Sequence, residues 1–198
     1  MGFTSLAFLV FFPIVWLVYL MLPGRFRTVW LLAASYVFLG TFGTKYLAVL
    51  IGFTLVTWVA GLILEKYGIT NGVKKAEAES KAMPEAGKSS ASEQKKSSLA
   101  TGVFVAVVGF HVAVLCFFKY NRSNIALPIG ISFYTFQAIG YLTDVYRGTV
   151  RAEHNLLNFA LFQAFFPKLV QGPIERSGNL LRQIQNIGTL PVRDPERI

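Results

Sequence analysis

Two apolar runs, residues 46–64 and 99–118, set the first limit on what this chain can become. As a helix rising 1.5 Å per residue, each is about 30 Å long, the thickness of a bilayer's hydrocarbon core. Residues 3–22 form a third run ending at Pro23-Gly24, and 28–43 a shorter one ending in the Gly40/Gly43 break. Lipid offers a backbone no hydrogen-bond partners, so such runs must be helices. The composition agrees. At 54% hydrophobic and 15% aromatic, 198 residues carry more apolar surface than a soluble domain of that length needs. The expected class is all-α: a polytopic membrane bundle whose first partner is the lipid bilayer.

The formal charge of +9 falls between the apolar runs. No basic face carries interleaved aromatics, so nucleic acid is not the expected partner; topology explains the charge instead. Nothing basic precedes the first run, and Arg25 and Arg27 follow it. That order is the reverse of a cleaved signal peptide and predicts a retained helix with its N-terminus outside. Residues 65–98 form a Lys/Glu/Ser/Ala tract with almost no large apolar side chains. Such a tract cannot bury enough surface to offset its chain entropy, so a disordered cytoplasmic loop is expected. It divides three helices over 1–64 from further membrane and broken helices over 99–198. Alternation then puts 65–98 and 147–154 inside, with Lys45, Lys119 and Arg122 outside.

Two later segments are not ordinary spans. Residues 127–146 are spotted with Ser132, Tyr134, Thr135, Gln137 and Thr143, and Pro167 and Pro173 break the next run. Lipid cannot satisfy these groups, so they face protein, water or a ligand. The expectation is broken or re-entrant helices. Ser132, Tyr134 and Gln137, with Lys168, Gln171, Glu175 and Arg176 near the prolines, are the candidate residues for a substrate path. The other reading of the same residues is structural: they bond each other and hold two broken helices. Asn155 is a candidate N-cap for a helix over 155–166. Leu180, Leu181, Ile184 and Ile187 share a face over 179–188, opposite Arg182, Gln183 and Gln185, which suits a helix lying at the membrane interface.

His111 lies in an apolar run without acidic neighbours and reads as a hydrogen-bonded structural residue. His154 reads as a solvated loop or capping residue. Cys116, the sole cysteine, reads as a small buried apolar side chain. There is no nucleophile elbow, P-loop, zinc or dinucleotide motif, so no metal or cofactor is expected.

LPIGISFYTFQAIGYLTDVYRG (127–148) and NLLNFALFQAFFPKLVQGPIER (155–176), together with the N-terminal MGFTSLAFLVFFPIVWLVYLMLPGRFR and LLAASYVFLG, resemble the membrane-bound O-acyltransferase family. The resemblance is to its bacterial branch of alginate and peptidoglycan O-acetyltransferases. It covers essentially the whole chain except 65–98, which is longer and more charged than the family's usual link. It implies a multi-pass enzyme of the bacterial cytoplasmic (inner) membrane, with helices around a central funnel. Such an enzyme moves an acyl group, acetyl in this branch, from a thioester or carrier-bound donor to hydroxyls of an exported polysaccharide. An extracytoplasmic partner transferase is a further partner the resemblance allows. The family's catalytic His is implied to lie in an apolar helix beyond this stretch. Neither His111 nor His154 stands in that context, so no catalytic residue is assigned. The chain reads as the N-terminal part of such an enzyme, inactive alone. The competing reading is a non-catalytic polytopic scaffold or transport component.

Overall fold

The computed structural model describes residues 6–67, 91–120, 130–169 and 177–187, and every regular element among them is a helix. In chain order these are α1 (Leu6–Met21), α2 (Gly24–Gly40), α3 (Thr44–Tyr67), α4 (Ala91–Tyr120), α5 (Ile131–Tyr146), α6 (Leu156–Ala164), the single turn α7 (Phe166–Leu169) and α8 (Ser177–Asn186). Pro23, with φ −63° and ψ 147°, is the corner that starts α2. Gly43, at φ +139°, turns the chain into α3, a conformation open to glycine and costly for other residues. Arg25 and Arg27 belong to the first turn of α2 rather than to a loop.

The tract from 65 to 98 is helical at both margins, which corrects its boundaries. Glu65–Tyr67 continue α3, and Ala91–Ser98 open α4. The reason is local: Ala91, Glu93, Gln94, Lys95 and Lys96 are good helix formers, and a helix nucleated in its apolar part extends into them readily. Residues 68–90 lie outside the described residues.

Helix α3 is the centre of the bundle and packs against α2, α4, α5 and α6. Among the described residues two helices are long and apolar enough to cross a membrane: α3, and the part of α4 from Ser98 to Tyr120. The most apolar window of α3 is 39% buried by protein, but that of α4 only 11%, so α4 is peripheral. Its outer face presents Val105, Phe110 and Phe117, and Cys116 is exposed there rather than buried as the sequence suggested. Only one face of α4 has helices to pack against. Helix α1 joins the bundle through α2, where the Trp30 indole donates to the Val15 carbonyl at 3.1 Å. The rings of Phe8, Phe11, Phe38 and Phe166 pack together beside that contact.

One end of the bundle is organised by Glu153, which is buried although charged. Its carboxylate accepts the Asn155 amide at 2.9 Å and the Gln185 side chain of α8. Its amide donates to Tyr141 Oη on α5 at 3.0 Å, and its carbonyl accepts the Trp58 indole of α3 at 2.8 Å. At the same end His154 pairs with Glu65 at 2.9 Å, and Thr101 of α4 bonds Tyr146 of α5 at 2.9 Å. Asn155 caps α6, its side chain accepting the Leu157 amide at 3.0 Å. Helix α8 is amphipathic as expected, but its apolar face is covered by protein. Leu180, Leu181 and Ile184 are buried, and α8 packs on α5 and α6. An apolar stripe needs any apolar surface, and those helices supply one without lipid.

Gly61 lets α3 approach α5 closely. A Cβ added there would stand 2.8 Å from Tyr141 Oη and 2.9 Å from its ring. Tyr141 is fully buried and held by Glu153, so it cannot step aside freely. Gly61→Ala is therefore expected to destabilise the protein by about 1–3 kcal/mol, the usual range for overpacking. Thermal or denaturant unfolding in detergent checks this. Adding Tyr141→Phe should cost less than the sum of the two single changes, because both act on one contact.

Candidate functional site

Pro167 shapes the site. It lacks an N–H, and its ring would collide with the carbonyl four residues back, that of Gln163. Helix α6 accordingly stops at Ala164, and Phe165 turns out of helical geometry at φ −55°, ψ 104°. The chain restarts as α7 with Pro167 in its first turn, where no donor is missed. The break strands the Phe162 carbonyl and the Phe166 amide, which would have bonded each other in a continuous helix.

Side chains from two other helices take up both groups. Gln137 of α5 donates to the Phe162 carbonyl at 2.6 Å. Ser35 of α2 accepts the Phe166 amide at 3.3 Å and donates to the Leu31 carbonyl at 2.7 Å. Gln163 returns across the same interface, donating to the Tyr134 carbonyl at 2.9 Å. The hydrogen bonds of the structural reading are thus present.

They do not use up the polar groups. Tyr134 Oη, Thr135 Oγ1 and Gln163 Oε1 are buried and have no hydrogen-bond partner among the described residues. Buried polar atoms without partners are uncommon in folded proteins, and each costs roughly 1–3 kcal/mol. The Lys168 ammonium is buried in the same junction, 5.2 Å from the Phe162 ring centre and 5.9 Å from that of Phe133. Such geometry over aromatic faces favours a cation.

The candidate residues therefore divide. Tyr134, Gln137 and Lys168 come together at the break. Ser132 does not: it is exposed, because two residues along a helix is a rotation of about 200° from Tyr134. Gln171, Glu175 and Arg176 lie outside the described residues. Sequence reasoning passed over Gln163 and Ser35. A glutamine four residues before a proline in an apolar run is a readable signal, because proline orphans the backbone at that position. Ser35 carries no such mark.

Both histidines are engaged. His111 is fully buried, its Nδ1 2.8 Å from the Val107 carbonyl and its Nε2 2.9 Å from Thr57 Oγ1 on α3. The carbonyl can only accept, so Nδ1 donates to it, and Phe53 packs edge-on at 4.6 Å. His154 stands at the surface, paired with Glu65. Among the described residues no group of three or more His, Cys, Asp or Glu could hold a metal ion.

The chain is similar to bacterial polysaccharide-modifying enzymes over nearly its whole length. It is 34% identical to a probable alginate O-acetylase AlgI of Pseudomonas putida, over 94% of this chain and 37% of that protein. Its identity to the protein of the same name from Pseudomonas aeruginosa is 32%, over 94% of this chain and 35% of that one. A peptidoglycan O-acetyltransferase of Helicobacter pylori is 25% identical over 92% of this chain and 38% of its own. The chain thus spans little more than a third of the length of these curated relatives. No family model matches it, and no solved structure matches it significantly.

The two glutamines at the break differ in what they leave behind. Gln137→Leu strands the Phe162 carbonyl, which has lost its helical donor, and is expected to cost about 1–3 kcal/mol. Gln163→Leu leaves the Tyr134 carbonyl with the intrahelical donor that a mid-helix position provides. Its cost should be the smaller of the two. Paired unfolding curves of the variants check the order.

Proposed function

Because the chain is homologous over 92–94% of its length to bacterial O-acetyltransferases of the membrane-bound O-acyltransferase family, we propose that it forms part of an enzyme that acetylates hydroxyls of an exported cell-surface polysaccharide. That similarity carries the reading. The helix break supports it: buried hydroxyl, amide and ammonium groups meet in segments that a purely apolar bundle would not contain.

The chemistry asked of such an enzyme is transfer from a thioester or carrier-bound donor. A base takes the proton of the acceptor hydroxyl, whose oxygen attacks the acyl carbonyl, and the thiol leaves. In this proposal Tyr134, Gln137 and Lys168, with Gln171, Glu175 and Arg176, border the path of donor or acceptor, and Gln163 joins them. The base comes from outside this stretch. His111 is committed through both ring nitrogens, and His154 is tied to Glu65 at the surface. No observation favours the scaffold reading over this one.

The proposed setting is the bacterial cytoplasmic membrane, crossed several times with the N-terminus outside. Helix α6 leaves the Glu153 end, breaks after about 14 Å, roughly half a hydrocarbon core, and Gln185 of α8 is again at Glu153. Residues 156–169 are accordingly read as one limb of a re-entrant excursion that carries polar groups to mid-membrane depth, where irregular backbone is tolerated only inside protein or beside a cavity. A donor on the cytoplasmic side and an acceptor outside fit that layout, with room for an extracytoplasmic partner transferase.

Tyr134→Phe tests the path. The Tyr134 hydroxyl has no partner among the described residues, so its removal relieves a buried unpaired group and should not lower stability. In the full-length enzyme, acetyl transfer should fall at least about tenfold, the worth of one lost hydrogen bond; unchanged transfer would remove Tyr134 from the path. The isolated chain should not transfer acetyl at all. Activity in the chain alone that disappears with His111→Ala or His154→Ala would put the base here and overturn the assignment.

Topology gives a separate check. Reporters fused after Lys75 and after Asn121 should read cytoplasm and outside respectively, following the Lys/Arg asymmetry. The opposite result would reverse the proposed orientation.

A further inference from the structure

A cleft of about 300 Å³ lies between the 149–153 segment and α8, at the Glu153 end of the bundle. The 9 residues of α6 separate that end from the helix break. Gly178, Arg182 and Gln185 of α8 line the cleft, and their spacing puts them on one helical face. Thr149, Arg151 and Glu153 line it from the connecting segment. Both arginines are exposed, so a solute reaches them without entering the bundle.

The lining favours an anion. Arg151 and Arg182 come from different elements and border one space. A guanidinium carries several N–H donors in a planar fork, so each can keep other contacts and still bind a pair of oxygens. Gly178 lies in the first turn of α8, where backbone amides have no partner inside the helix and the dipole is positive. It brings no side chain to the cleft, and a Cβ there would press on Val150, another lining residue, at 3.2 Å. The Glu153 carboxylate is the lining group of opposite sign. It is buried, and both of its oxygens are taken, by the Asn155 amide and by Gln185. Two guanidiniums against one carboxylate leave the lining positive.

A carboxylate ligand offers one pair of oxygens, enough for a single fork. A phosphate offers more, so it can bridge two guanidiniums on separate elements and turn a further oxygen toward the α8 amides. We infer that this cleft binds a phosphate group, held between Arg151 and Arg182 at the start of α8. A soluble phosphate ester and a phospholipid headgroup both carry that group, and the chemistry at the arginines is the same for each. The volume, at the lower end of small-molecule pockets, admits a phosphate with a small organic remainder. The site stands apart from the polar groups at the break, and acetyl transfer does not require it.

Arginine modification by phenylglyoxal, its rate read residue by residue from peptide maps, tests this on the whole chain. In detergent, glycerol 3-phosphate replaces chloride at equal ionic strength. At about four times its Kd it should slow modification of Arg151 and Arg182 about fivefold, by mass action. Arg25, exposed elsewhere on the fold, should react at an unchanged rate. A second arm omits soluble phosphate and places the chain in nanodiscs of phosphatidylglycerol. Protection by glycerol 3-phosphate assigns a soluble ester, and protection by the nanodiscs alone assigns a headgroup; either supports the site. In Arg182→Gln the protection of Arg151 should be lost, and in Arg182→Lys it should return in part. Arg182 is exposed on the polar face of α8, so both variants should keep the unfolding midpoint of the unaltered chain. Arg151 that stays fully protected in Arg182→Gln would overturn the shared site. Rates at Arg151 and Arg182 that neither glycerol 3-phosphate nor phosphatidylglycerol changes would overturn phosphate binding altogether. Neither result bears on acetyl transfer, which Tyr134→Phe tests separately.

Discussion

The Glu153 carboxylate is taken out of water and given two hydrogen bonds in exchange, from the Asn155 amide and from Gln185. A buried charge left without partners costs several kcal/mol, so these bonds are not optional. The backbone of the same residue holds Trp58 and Tyr141. One loop position thereby fixes the start of α6 against α3, α5 and α8. The depth at which α6 breaks follows from where it starts and from its nine residues.

The break shows the same requirement in another form. Proline forbids the helix from continuing, and the freed backbone groups must bond something other than each other. Gln137 and Ser35 meet that need from α5 and α2. The junction has therefore drawn polar side chains into an otherwise apolar bundle for structural reasons. Tyr134 Oη, Thr135 Oγ1 and Gln163 Oε1 go beyond that need. The surplus of buried polar atoms distinguishes a junction that is only braced from one that can also meet a substrate. In the proposed path, structure and substrate would use the same residues through different atoms: Gln163 braces with its amide nitrogen and leaves its carbonyl oxygen over.

The apolar surface also divides in two. The outer face of α4 exposes Val105, Phe110 and Phe117. Between α1 and α8 lies a concave apolar slot, walled by Val15, Leu31, Phe165, Leu180 and Ile184 among others. Apolar side chains thus give two different surfaces, because the second is bounded by four helices and the first by one.

Much of this was legible in the residues themselves. The apolar runs and the Pro23, Gly40, Gly43 and Pro167 breaks mark helices whose limits the fold moves by only a few residues, except where Ala91–Ser98 extend α4. The Asn155 cap and the buried stripe of Leu180, Leu181 and Ile184 follow from spacing alone. These are local properties, decided within one or two helical turns. The partners are not local. Periodicity tells which face of α8 is apolar, but not that α5 and α6 rather than lipid will cover it. It cannot show that Ser35 meets the Phe166 amide across 131 positions, that Gly61 must be small because Tyr141 lies against it, or that Arg27 stands over a ring lining a cavity. Those facts belong to tertiary structure, because they depend on which helices are neighbours. That choice is made by summed packing and by the demand that every buried polar group find a partner, neither of which is a property of any single segment.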